Sequence, residues 1–64
     1  MRTFLTNRKE IETALRAPRS SVFCVAADRA TYQIDQVRQR KGILQVHIQR
    51  GDWTRQVISI YREV

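Results

Sequence analysis

The apolar positions of this chain change period as the chain runs. Ile11, Ala14 and Leu15 recur at three- and four-residue steps, the spacing of one helix face. Asn7 followed three residues later by Glu10 makes a capping box, with Thr6 as an alternative cap. Pro18 disfavours helical geometry at Ala17 and ends the helix there. Ahead of it, Phe4 and Leu5 either staple onto the helix or pair as a short strand.

Arg19, Ser20 and Ser21 then form a polar break in which either serine can cap a new helix. The run Val22–Ala27 is continuously apolar. As a short helix it would bury Val22, Val25 and Ala26. As a buried strand it has the usual mixture of β-branched and aromatic types, and local evidence favours the strand.

The stretch Asp28–Gly42 reads as a helix from its ends. Asp28 suits an N-cap, and Gly42 suits the left-handed position beyond a helix end. Arg38, Arg40 and Lys41 crowd the last turn, where the helix dipole favours cations. Ala27, Ala30, Ile34, Val37 and Lys41 make one narrow stripe. A strand is the alternative. Thr31, Tyr32 and Ile34 are strand formers, but Val37 falls on the wrong side of the alternation unless a bulge intervenes.

After Gly42 the period is two. Leu44, Val46 and Ile48 alternate with Gln45, His47 and Gln49. Arg50-Gly51-Asp52 reads as a tight reversal, and Trp53–Tyr61 as the return strand. On that strand Ile58 and Ile60 share the side of Leu44, Val46 and Ile48. Trp53, Val57 and Tyr61 lie on the other side and need cover from a helix or a partner.

Composition narrows the function. The chain has 64 residues, so residues 1–64 are one small basic domain. Such a domain buries only about 60% of the surface its unfolded chain exposes, which leaves no room for a substrate cleft with a supporting shell. No carboxylate pair is placed for acid–base work, and an enzyme is not expected. Lone Cys24 has no partner for a disulfide, no Cys/His cluster has zinc spacing, and neither metal nor cofactor is expected. No apolar run reaches the ~20 residues a membrane span needs, and the N-terminus lacks the apolar region of a signal peptide. A cytoplasmic setting is the expectation. Twelve Lys+Arg against six Asp+Glu give a formal charge of +6. Only Lys9 and Lys41 are lysines, and arginine's bidentate fork suits phosphates and guanine edges.

The order helix, short element, helix, hairpin resembles the winged helix-turn-helix domains of prokaryotic transcriptional regulators. LTNRKEIETALRAP stands for the first helix, RSSVFCVAADRAT for the second helix and turn, and YQIDQVRQRKGIL for the recognition helix. Lys41-Gly42-Ile43-Leu44 matches the entry into the wing, and ILQVHIQRGDWTRQVISI matches the wing hairpin. The resemblance implies a small α+β winged helix-turn-helix fold. The alternative fold is one N-terminal helix packed on a small antiparallel β-sheet.

On the winged reading, the Asp28–Lys41 helix enters the major groove of double-stranded DNA. Arg29 takes guanine O6 and N7, and Gln33 or Gln36 takes adenine. Tyr32 meets phosphate or a thymine methyl, and Arg40 and Lys41 hold the backbone. Arg50 at the hairpin tip and Arg55 on the return strand grip the flank. The function so implied is that of a small sequence-specific transcriptional regulator of phage or mobile-element type, acting as a homodimer. Two other functions compete. One is a protein-binding module with Phe23, Trp53 and Tyr61 as anchors for an acidic protein partner. The other is a single-stranded nucleic-acid or RNA binder that stacks bases on Trp53, Tyr32 and Tyr61 across a sheet.

Overall fold

Helix α1 (Arg8–Arg16) starts where its capping chemistry places it. The Asn7 side-chain oxygen accepts the Glu10 N–H at 2.9 Å. The Glu10 carboxylate accepts the Thr6 N–H at 2.8 Å and the Thr6 hydroxyl at 2.9 Å. These bonds from Thr6 hold the Glu10 carboxyl below its ordinary range. The inner face of α1 buries Ile11 and Ala14, as the three- and four-residue spacing requires. The computed structural model describes residues 1–17 and 21–63. Arg19 and Ser20 of the expected polar break lie outside that range, while Ser21 opens a strand rather than capping a helix.

Around α1 the described residues form six strands, β1 (Arg2–Leu5), β2 (Ser21–Ala26), β3 (Thr31–Arg40), β4 (Ile43–Ile48), β5 (Trp53–Thr54) and β6 (Val57–Glu63). They make one antiparallel sheet in the order β1-β6-β2-β3-β4-β5. The winged helix-turn-helix expectation is therefore corrected, because that fold needs about three helices and this chain has one among its described residues. The fold is the small α+β alternative, one short helix on an antiparallel sheet.

Three local assignments explain the difference. Val22–Ala26 lies in β2, as the local evidence favoured, with Val22, Cys24 and Ala26 buried. Asp28 does cap N–H groups, but in a turn: its carboxylate accepts the Ala30 N–H at 2.9 Å and the Tyr32 hydroxyl at 2.6 Å. Gly42 does take positive φ (79°), but beside Lys41 at φ 51°, as a two-residue hairpin reversal between β3 and β4 requires. Residues 31–40 are thus a strand. The bulge that Val37 demanded is there: Ile34 pairs with Ile48, Gln36 pairs with His47, and Asp35 is the extra residue. Past it, Val37 faces inward opposite Val46.

The expected return strand is also corrected. Trp53–Tyr61 is not one strand against β4. β5 pairs only with Val46 and His47, and β6 crosses the molecule to lie between β1 and β2. Ile60 enters the core, whereas Ile58 is 66% exposed and Val57 packs inward. Tyr61, expected to need cover from a helix or a partner, is 3% exposed within this chain alone. The core is Ile11 and Ala14 of α1 against Val22, Cys24, Ile34, Val46, Ile48 and Ile60. Each buried Ile contributes roughly 1.5–3 kcal/mol. No helix is long and apolar enough to cross a membrane among the described residues.

Candidate nucleic-acid interface

Paired residues on antiparallel strands share a face, so the register sorts every side chain. The inner face packs on α1. The outer face carries two clusters in which a guanidinium lies over an aromatic ring.

The first spans β1, β6, β2 and β3. Phe4, Tyr61, Phe23 and Gln33 follow one another across the strands. Phe23 stacks on Tyr61 at 5.6 Å between ring centres, and Phe4 meets Tyr61 edge-on at 6.1 Å. The Arg2 guanidinium stands 4.4 Å above the Tyr61 ring, and its Nε lies 3.5 Å from the Glu63 carboxylate.

The second spans β3, β4 and β5, where Gln36, His47 and Trp53 lie side by side. His47 meets Trp53 edge-on at 5.2 Å, and the Arg38 guanidinium sits 3.9 Å above the Trp53 ring. Both polar groups are aimed by a neighbour. Arg38 Nε donates to Gln45 Oε1 at 2.7 Å. His47 Nδ1 lies 2.8 Å from Oδ1 of Asp35, the extra residue of the β3 bulge. A guanidinium held over an indole face combines positive charge with π-surface, and such groups are ones on which nucleobases stack.

The residues expected to read DNA are dispersed. Arg29 sits in the β2–β3 turn at φ 67°, a left-handed conformation that costs a non-glycine residue roughly 1–2 kcal/mol. Tyr32 and Arg50 come together at the same end, with the Arg50 guanidinium 5.6 Å from the Tyr32 ring and its Nε 2.9 Å from Asp52. The bond to Asp28 raises the Tyr32 hydroxyl above its ordinary range and lowers Asp28 below its own. Tyr32 lies on the inner face opposite Cys24, so it cannot stack bases beside Trp53 and Tyr61. Gln33 and Gln36 do lie on the outer face, one in each cluster. Arg40 and Lys41 close the opposite end of β3, and Arg55 lies between β5 and β6. No single surface unites these eight residues.

Arg38, His47, Gln45 and Asp35 were missed as site residues. Alternation in β4 already put Gln45 and His47 on its wet face. Placing Arg38 with them required the bulge, since without it Arg38 points inward. Cys24 is buried, and burial pushes its thiol up, which suits an inert core residue. No group of three or more His, Cys, Asp or Glu residues could hold a metal among the described residues. Comparison with known proteins finds no matching family model, no matching curated protein and no matching solved structure.

Proposed function

We propose that this domain binds single-stranded nucleic acid across the outer face of its sheet, with the Arg38–Trp53–His47 cluster as the principal base platform. The observation that carries the reading is the Arg38 guanidinium 3.9 Å above Trp53, held there by Gln45. Aromatic stacking of one base contributes roughly 1–3 kcal/mol and tolerates any base. Gln36 and Gln33 supply amides that can reach exposed Watson–Crick edges of bases splayed on the sheet. Arg2 and Arg40 lie along the same face, and the formal charge of +6 supplies long-range attraction to phosphates. A recognition helix at residues 28–41 is not part of this reading, because residues 31–40 are strand.

Trp53 is the single tryptophan of the chain, so its fluorescence reports this platform directly. Titration with oligouridylate, oligothymidylate and a duplex at two salt concentrations tests the proposal. Quenching by single strands, with affinity falling as salt rises, is expected. Tighter binding to the duplex, or single-strand binding with Trp53 unperturbed, would falsify it.

A further inference from the structure

The sheet leaves a gap. A cleft of about 560 Å³ is bordered by β4 on one side and by β1 and β6 on the other. Two strand segments along it lack a strand neighbour among the described residues. β5 reaches only Val46 and His47, so the side of Ile43–Gln45 away from β3 has no strand paired to it among the described residues. β1 reaches β6 only from Ile60 onward, which leaves the same side of Val57–Ser59 open. Unpaired backbone at a strand edge is a template for a further strand.

The surroundings say what kind of strand. Phe4, Ile43 and Ile58, which are 61%, 43% and 66% exposed, stand along the cleft, ready to take apolar side chains. Arg55 lines it, and no carboxylate does among the described residues. A neighbouring depression shares Thr6 and Leu44 with the cleft and adds Arg8, Lys9 and Glu12. Glu12 is already held by Arg8 at 2.9 Å. Arg40 and Lys41 lead directly into Ile43. A second copy of this chain would bring another +6 to a basic cleft and be repelled.

We propose that the cleft takes an extended acidic segment of a partner protein as an added β-strand, with apolar side chains alternating with carboxylates. Backbone hydrogen bonds to Ile43–Gln45 or Val57–Ser59 hold the segment. Alternate apolar side chains meet Phe4, Ile43 and Ile58, and the carboxylates meet Arg55 and the cations around the cleft. The cleft lining contains none of Arg38, Trp53 and His47, although Gln45 and Arg40 border both surfaces, so the test carries a nucleic-acid competitor beside the peptides.

The test uses the full chain and labelled octapeptides that alternate glutamate with valine, isoleucine, leucine or phenylalanine. Controls replace glutamate by lysine, or carry N-methyl groups on alternate backbone amides. At least one glutamate peptide should bind about tenfold more tightly than its lysine counterpart. Binding should slow amide exchange at residues 43–45 or 57–59, and N-methylation should abolish it. Ile58→Glu, at a position 66% exposed and with folding checked by thermal melting, should weaken the same peptide about tenfold. The proposal is overturned if no glutamate peptide binds, or if the N-methylated form binds equally well. It is also overturned if oligouridylate protects these amides and displaces the peptide, or if the chain self-associates through this edge and Ile58→Glu abolishes that association.

Discussion

The two halves of the outer face use the same chemistry, a guanidinium over an aromatic ring, for different ends. Around Tyr61 the ring is enclosed by Phe4, Phe23 and Arg2, and only 3% of the residue remains exposed. That cluster acts as a second small core which fastens β1 and β2 to β6. Around Trp53 the neighbours are polar and aimed, Arg38 by Gln45 and His47 by Asp35. Apolar cover makes an aromatic ring a structural anchor. Around Trp53 the cover is hydrogen-bonded instead, and the ring keeps intermediate exposure beside polar groups held in fixed positions.

The sharpest way to break this contrast is to truncate each ring. Tyr61→Ala should cost stability heavily, about 3–5 kcal/mol by the measure of buried aromatics, read in a urea melt. Trp53→Ala should leave most stability in place and cost roughly 1–3 kcal/mol of single-strand affinity. If the two variants exchange these effects, the division between anchor and platform is wrong. Arg38 sharpens it further. Arg38→Lys keeps the charge but loses the plane, so affinity should fall while the salt slope stays unchanged. Arg38→Ala should also flatten that slope by about 0.7 per lost phosphate contact. Equal behaviour of the two variants would make Arg38 a simple charge.

A smaller effect separates the turn end from both clusters. The Tyr32 hydroxyl bond keeps the Asp28 carboxyl low. A carboxyl whose folded value lies below its unfolded one stabilises the fold above the unfolded value, and that contribution is lost as pH falls through the folded value. Tyr32→Phe should therefore raise the Asp28 titration midpoint toward the ordinary carboxylate range, seen by carboxyl NMR, and reduce the acid sensitivity of folding. Single-strand affinity should not change, because Tyr32 faces inward. The smallest effect belongs to Arg29, whose φ of 67° suits glycine. Arg29→Gly should raise stability by up to about 1 kcal/mol, and thermal melting gives the sign.

Some of this molecule was legible from the chain order alone. The Asn7–Glu10 box places the start of α1, and alternation over Leu44–Ile48 places β4 with Gln45 and His47 on its wet face. The apolar run after Ser21 places β2. The platform was only half visible, because Trp53 reads equally well as an anchor until the rings around it are known.

The segment Asp28–Gly42 shows where local reading stops. Asp28 accepts nearby N–H groups whether the chain coils or turns, and Gly42 supplies positive φ to a helix end or to a hairpin alike. Such residues determine where a segment begins and ends, because hydrogen bonds within two to four residues satisfy them. They do not determine what lies between. Residues 31–40 became strand because β2 and β4, one on each side, offer backbone partners along nearly its whole length and because Ile34 and Val37 find the core only with Asp35 bulged out. The sequence by itself determined the start of α1, the alternation of β4, the reversals at Gly42 and Gly51, and the charge. Long-range pairing and shared burial, which exist only once distant strands meet, decided that β3 extends, that β6 crosses to β2, and that Arg38 lies over Trp53.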